Sequence, residues 1–445
     1  MKSERDQMIQ AISARLGKRS LYWMGIRGDD ARSLADIPQF SGSFSIINQY
    51  SYQPLLYAEA YEDIDEFHFR VDLDEWDIDN YLKSEPTKVF RHLMFTAVGR
   101  DASAITAYRP SLFLSAITFS RQDRCLYLGM YVGQQHVFEH KPWVEMGVRS
   151  VDVPSVEWRY IADEDQLETL ALLSQGPVVV RPSRGSGGVG MARVDAVRSL
   201  QSLWPSGDEF FASVSTYMDN CIPLNIGAVV WDDGVTMHHL SVQLIGLPCS
   251  TKRQFGYCGN DFGLVSELDP STISQVEQHT VRIGNWLKTQ GYRGAFGVDY
   301  LVNQGKVLFT ELNPRFQGST RVSARLDALD DQPCLLLEHI AALLHITAPK
   351  CRSLVDLAKN TPPISQVIVH NLHDIAVRTD SGDLLPSNIG NDAHVEIAAF
   401  PSVDIAPNAV IAILRFDRSV TQTGYDINPT IAAMLNHVNT VVKGV

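Results

Sequence analysis

The spacing of apolar and polar positions changes several times along the chain, and those changes set the expected elements. Leu21-Tyr-Trp-Met-Gly-Ile26 and Leu112-Phe-Leu-Ser-Ala-Ile-Thr-Phe119 read as strands between polar turns. The acidic segment from Tyr61 to Asp79 reads as a solvated edge. Further on, the strand Pro177-Val-Val-Val-Arg-Pro182 enters the glycine-rich stretch Ser183-Arg-Gly-Ser-Gly-Gly-Val-Gly-Met191, and Ala192-Arg-Val-Asp195 resumes as strand. Asp269-Pro270 caps a helix carrying Ile273, Val276, Ile283 and Leu287 at helical spacing, and Gly291 stops it. Ala295 to Val302 then turns at Asn303-Gln-Gly305 and returns as Lys306 to Pro314. Near the end, Gln366–His370, His394–Ala398 and Val410–Phe416 predict a small sheet. A last helix starts near Asn428-Pro429, with Ile431, Leu435, Val438 and Val442 along one face.

These patterns predict an α/β protein in three parts: an N-terminal α/β domain at 1–133, a core at 134–345 and a small C-terminal α+β domain at 346–445. With 45% hydrophobic and 20% charged residues, the composition is that of a soluble globular chain. A net charge of −13 argues against nucleic acid as a partner, since a phosphate-backbone binder needs a basic face. No run approaches the roughly 20 apolar residues of a membrane helix. The polar start, Met1-Lys-Ser-Glu-Arg-Asp6, argues against a secretory signal. The six cysteines form no CxxC pair, so neither a zinc site nor a disulfide framework is indicated and a cytoplasmic location is expected.

Gly185-Ser-Gly-Gly-Val-Gly190 fits GxGxxG, a weak signal alone. A dinucleotide fold needs a helix directly after the loop, and here a strand follows. A Walker A loop needs Lys-Ser/Thr after its last glycine, and Met191 stands there. Asp261-Phe262-Gly263 spells a kinase triplet, but no HRD loop precedes it and no VAIK lysine follows the glycines. Two readings remain: a plain surface hairpin, or a strand–loop–strand flap whose backbone N–H groups close over phosphates, with Arg181 adding a permanent cation.

The second hairpin carries more weight. Glu311 and Asn313 project the same way along one strand, and Asp299 stands opposite or diagonal to Glu311 on its partner, depending on register. Two carboxylates and an amide oxygen among Phe296, Val298, Leu308 and Phe309 would be costly without a cation, and oxygen donors suit Mg²⁺. Arg315 and Arg321 come next, supplying charge for a transferring phosphoryl group or a bound carboxylate. An exposed acidic hairpin is the bland alternative.

Taken together, Val178 to Met191, Gly291 to Asp299 and Thr310-Glu-Leu-Asn-Pro-Arg-Phe-Gln-Gly-Ser-Thr320 resemble the ATP-grasp superfamily over roughly Lys141 to Arg321. The resemblance implies an N-terminal pre-grasp domain, a two-lobed ATP-grasp core and the small C-terminal domain. It also implies ATP and Mg²⁺ as cofactors, the metal held by Asp299, Glu311 and Asn313, with Arg315 beside the γ-phosphate. Lys141 resembles the first phosphate-binding lysine. The second falls at Arg181, a departure that keeps charge but changes shape. Arg184, Gly185, Ser186, Gly187, Gly188 and Gly190 form the phosphate flap, and the adenine hinge is expected between Val214 and Asn225, with Asp219 the one acid near the ribose position. The layout and Pro223-Leu-Asn225 with Ser241-Val-Gln-Leu-Ile-Gly246 look most like microbial natural-product peptide ligases of the pheganomycin type.

The activity so implied is activation of a carboxylate as an acyl phosphate and its transfer to an amine such as an amino acid or peptide. Lys252 and Arg253, in the loop Ser250–Gly259, are expected to approach the phosphates or substrate. Rivals are loading of an amino acid onto a carrier-protein thiol, carboxylation as in biotin carboxylase, and nucleotide binding without catalysis. A homodimer is implied by resemblance alone. His136-Val-Phe-Glu-His140 spells an inverted zinc-peptidase string, but a strand before it and Lys141-Pro142 after it leave little room for the required helix. His238 and His239, consecutive on an expected strand, should face opposite sides and not share an ion. Ser183 and Ser186 lack a His/Asp partner for nucleophilic chemistry.

Overall fold

The computed structural model describes residues 2–47, 70–71, 88–163, 167–205, 209–378, 396–397 and 404–444. Most of the acidic segment 61–79 lies outside the described residues. The first layer is a parallel sheet of β1 (Ser20–Arg27), β2 (Phe40–Ile47), β3 (Ser103–Ala107) and β4 (Cys125–Leu128), in the order β2-β1-β3-β4. Around it stand α1 (Glu4–Leu16), α2 (Lys88–Arg100) and α3 (Leu112–Phe119). The run at 112–119 is therefore helix, not the strand its unbroken apolarity suggested. Ser111 decides it: its hydroxyl caps the Leu114 N–H at 2.9 Å, and Leu114 and Ile117 turn inward while Leu112 and Phe119 stay exposed.

Two short helices, α4 (Val132–Phe138) and α5 (Lys141–Arg149), lead into a second sheet. Its strands are β5 (Arg159–Ala162), β6 (Val178–Arg181), β7 (Ala192–Val194) and β8 (Phe211–Thr216), antiparallel in the order β5-β8-β6-β7. Here α4 does carry His136, so the string has more helix than expected. Its polar groups nonetheless diverge: Glu139 pairs with Arg109 at 3.2 Å, and His140 with Glu209 at 3.1 Å.

The third sheet has nine strands. It is built from β9 (Ile222–Val230), β10 (Val235–Met237), β11 (Ser241–Ile245), β12 (Tyr257–Asp261), β13 (Gly294–Asn303), β14 (Lys306–Asn313), β15 (Ser365–His370) and β16 (Val410–Phe416). The order is β14-β13-β9-β11-β12-β15-β16, then Glu396–Ile397, with β10 beside β9. The three strands expected near the end do pair with one another, but as one edge of this sheet, while a separate small sheet joins Lys443–Gly444, Val377–Arg378, Asp404–Ile405 and Arg70–Val71. One face packs on α6 (Pro270–Thr289), whose Val276, Ile283 and Leu287 meet Phe296, Val298 and Tyr300. As the sequence indicates, Asp269 caps α6 with Pro270 in its first turn, and Gly291 lies just beyond it at φ +80°. The helices α7 (Thr320–Leu329) and α8 (Leu335–Leu343) come after the second hairpin, and α9 (Pro429–Val441), capped by Asn428, precedes the short strand at Lys443–Gly444.

His238 and His239 lie just beyond β10 and both reach Asp327 of α7, so the expectation that they face apart fails. Leaving the strand frees them from its two-face alternation. His238 Nδ1 lies 2.8 Å and His239 Nε2 3.5 Å from the Asp327 carboxylate, which also accepts from Arg352 at 2.5 Å. Burial alone would lower the His238 pKa; the facing carboxylates of Asp327 and Glu338 outweigh it and raise it to about 9. A raised folded-state pKa stabilises fully below the unfolded value near 6.5, and that stability is lost as pH climbs towards 9. His238→Gln should therefore lower the melting temperature most at pH 6 and progressively less towards pH 9.5; a gap that widens with pH would refute the pairing.

Candidate active site

The hairpin β13–β14 turns through Gln304 and Gly305, both at positive φ (48° and 78°), the geometry of a tight two-residue connection. From Asn303↔Lys306 to Tyr300↔Phe309 the pairing is regular; then it shifts, and Asp299 faces Glu311. Thr310 is the extra residue, its hydroxyl bonded to the Asp299 carbonyl at 2.9 Å. Without that bulge, strict alternation would pair Asp299 with Thr310 and turn Glu311 and Asn313 to the opposite face. With it, all three side chains share the face opposite α6.

Asp299 is ringed by amides. Its Oδ1 accepts from Asn225 at 2.5 Å, Gln243 at 3.1 Å and Gln317 at 3.4 Å, and its Oδ2 from Asn313 at 3.2 Å. Burial, then the Glu311 charge, pushes its carboxyl up to about 7 against these bonds. A pair of half-buried carboxylates beside an amide oxygen, with one acid driven that far, fits a hard divalent cation.

Cations surround the pair. Lys141, in the first turn of α5, reaches Glu311 at 3.1 Å and the Gly185 carbonyl at 3.0 Å. One turn on, buried Glu145 binds Arg181, whose guanidinium lies 3.6 Å from the Trp158 ring centre and donates to the Thr310 carbonyl at 3.1 Å. Arg315 donates to Asn313 Oδ1 at 3.1 Å and lies 3.5 Å from Glu139, which Arg109 also holds. Burial would raise the Glu139 pKa, but the Arg109 and Arg315 charges outweigh it and keep the carboxyl below its usual range.

Over these groups lies a cavity of about 330 Å³. Lys141, Arg181, Gly185, Ser186, Gly187, Gly188, Arg253, Asp299, Glu311, Asn313 and Arg315 all line it. Four of the sequence-derived candidates do not. Arg184 pairs outward with Glu209. Gly190, at φ +69°, serves the turn against Pro182. Between cavity-lining Thr251 and Arg253, Lys252 turns away to Asp374 at 2.5 Å. Arg321 sits in the first turn of α7, outside the lining. Ser215 to Met218 line the cavity where the hinge was expected, and Asp219 does not. An apolar slot there joins Val156, Trp158, Val179, Met191, Tyr217 and Met218. Asp261 of the kinase-like triplet is used structurally, accepting backbone N–H bonds from Gly263, Leu264 and Val420.

Sequence reasoning missed Glu145, Gln317 and the Glu139–Arg109 pair. Glu145 was detectable, being four residues beyond Lys141 on one helix face. Glu139 and Arg109 come together only through the tertiary fold.

Residues 148–319 match the family model described as an ATP-grasp domain, and the chain has the mixed α/β ATP-grasp fold. Biotin carboxylase from Campylobacter jejuni, in a β,γ-ATP complex, superposes with TM-score 0.58 at 14% identity, over 89% of this chain and 87% of that one. N5-carboxyaminoimidazole synthetase from Staphylococcus aureus, complexed with ADP, gives 0.58 at 11% identity, over 94% and 97%. In sequence, acetyl-CoA carboxylase of Dictyostelium discoideum is 26% identical over 161 residues, 35% of this chain but 6% of that far longer protein. Formate-dependent phosphoribosylglycinamide formyltransferase of Synechococcus elongatus is 22% identical over 288 residues, 62% of this chain and 66% of that protein. Among the described residues no helix is long and apolar enough to cross a membrane.

The flap is seated on the 247–256 loop. A Cβ on Gly188, at φ +77°, would lie 2.2 Å from the Phe255 carbonyl oxygen, and Arg193 N–H donates to Gln254 at 3.0 Å. Gly188→Ala should unseat the flap at a cost of about 1.4 kcal/mol or more, speeding tryptic cleavage at exposed Arg184 about tenfold while the melting temperature barely moves. Unchanged cleavage would mean that the contact does not hold the flap.

Proposed function

We propose that the protein is a Mg·ATP-dependent ligase that activates a carboxylate as an acyl phosphate and transfers the acyl group to an amine. The observation that carries this reading is the convergence of Asp299, Glu311 and Asn313 on one face beneath the glycine flap. Asp299, Glu311 and Asn313 would hold the metal, which supplies charge neutralisation on the triphosphate. The slot of Trp158, Tyr217 and Met218 holds the base by stacking and burial. Flap N–H groups, Lys141 and Arg181 bind the phosphates. Arg315, steadied by Glu139, stabilises the charge of the transferring group. A carboxylate oxygen attacks the γ-phosphorus and ADP leaves; the amine then attacks the carbonyl carbon, phosphate leaves, and the nitrogen gives up a proton. The closed flap keeps water from the acyl phosphate.

The acceptor in this proposal is an amino acid or peptide amine, in the manner of natural-product peptide ligases, with a carrier-protein thiol as the alternative acceptor and a homodimer as the assembly. A second reading, carboxylation with bicarbonate as the activated carboxylate, is favoured by the resemblance to biotin carboxylase and N5-carboxyaminoimidazole synthetase; bicarbonate-stimulated ADP release would support it.

Asp299→Asn and Glu311→Gln should each lower kcat for ADP formation by about 10²–10³-fold in folded protein. Wild-type turnover in either variant would remove the basis of the proposal.

A further inference from the structure

Resting on the ligase reading, we infer that the part of the cavity walled by β11, β12, β15 and β16 is the subsite of the activated acid, and that it selects an apolar carboxylate lacking an ammonium group over a free α-amino acid.

The sheet carries the far wall of this subsite away from the strand that bears Asp299. Cross-strand neighbours run from Asp299 to Asn225, from Gln243 through Asn260 to Gln366, and from Ile368 to Ile413. Five strand spacings of about 4.8 Å separate β13 from β16, roughly 24 Å of one sheet face. Two distinct apolar clusters border the cavity. The Trp158 cluster lies on the flap side, while Ile368, Val410 and Ile413 belong to the core shared with the first sheet. One apolar wall suffices for a nucleotide base. The other asks for an apolar group on the second substrate.

Charge then narrows the class. Among the described lining residues the acids are Asp299 and Glu311, against the cations Arg109, Lys141, Arg181, Arg253 and Arg315. Both acids belong to the metal face, and Lys141 already pairs with Glu311. The walls from β11, β12, β15 and β16 contribute no carboxylate to the lining. An ammonium buried there would lose its hydration without an opposite charge to replace it, whereas a carboxylate would find Arg315 or Arg253.

The remaining polar groups are neutral acceptors. His370 Nδ1 lies 3.0 Å from the Ser250 carbonyl, which can only accept, so Nδ1 carries the proton and Nε2 offers a lone pair. Burial, first, and the nearby Arg253 charge keep this imidazole neutral, its pKa pushed down to about 4. Gln366 donates its Nε2 to the Gly318 carbonyl at 2.6 Å, leaving Oε1 as acceptor. Such groups suit a hydroxyl or amide N–H on the acid, as in a hydroxy acid or an N-acyl amino acid.

Hydroxylamine provides the test, because it captures an acyl phosphate as a hydroxamate whatever the natural amine is. Wild-type protein with Mg·ATP would be given matched pairs sharing one body, such as 3-phenylpropanoate, 3-phenyllactate and N-acetylphenylalanine against phenylalanine, with isohexanoate against leucine. Equilibrium binding of Mg·ATP is measured alongside. The expected result is at least tenfold higher kcat/KM for the acids without an ammonium group. Arg253→Gln should reduce hydroxamate formation at least tenfold and leave the nucleotide Kd within twofold. Equal or better use of the free amino acids overturns the inference, as does ADP release stimulated by bicarbonate alone. Loss of nucleotide binding in Arg253→Gln also overturns it, by moving Arg253 to the nucleotide end. Absence of Mg·ATP binding by the wild type would instead defeat the ligase reading beneath it.

Discussion

Two carboxylates held face to face in a half-buried β-pair repel each other, and the rest of the site is organised around that repulsion. Asp299 and Glu311 could avoid it if the hairpin ladder were regular, since alternation would put them on opposite faces. The residue added at Thr310 removes that escape, and it is fixed at both its hydroxyl and its carbonyl, by Asp299 and Arg181. The surrounding side chains compensate. Four amides donate to Asp299, and Lys141 approaches Glu311. Neutral amides and one ammonium satisfy hydrogen-bonding needs, and two carboxylates with an amide oxygen held this close are a donor set suited to a divalent ion.

The cations are arranged so that they cannot wander. Arg181 is pinned by Glu145 and stacked on Trp158, while Glu139 holds Arg109 and Arg315 together. Each acid costs some of the positive potential its partner could present to a phosphate. In return the guanidinium is already placed, so little reorganisation is left for the moment when charge moves. That exchange also accounts for an arginine at position 181, where a lysine would supply the same charge. A planar fork can meet a carboxylate, a ring face and a carbonyl at once, and a flexible ammonium cannot.

Local chemistry made much of this legible in the sequence. The turn at Gln304-Gly305, the cap at Asp269-Pro270 and the flap glycines are set by backbone angles that few residues adopt, so their positions show in one dimension. The bulge was not legible, because a ladder shift depends on what the flanking strand and the 154–156 segment pair with. Neither was the outward turn of Arg184 and Lys252, since a charge in a motif says nothing about which side of a loop it leaves from. The helix at 112–119 was misread because an apolar run has no period to report; only Ser111, one residue before it, carried the signal. His238 and His239 were misplaced by assuming that β10 continued through them.

The large sheet is continuous, and that fixes distances across the site. Strands β15 and β16 come from the part of the chain farthest in sequence from the flap, yet they lie in hydrogen-bonded register with the strands that carry Asn225 and Asp299. A sheet transmits position along its ladder with little give, so the face bearing Asp299 and Glu311 and the far wall keep a fixed separation. The flap on β6 and β7 and the loop bearing Thr251 and Arg253 lie outside this sheet. These two meet at Gly188 and Phe255, with no room for a side chain between them. The Arg253 side chain, which lines the cavity, therefore belongs to the same loop that seats the flap. That seat consists of the close backbone approach at Gly188 and the Arg193–Gln254 bond, both outside the large sheet.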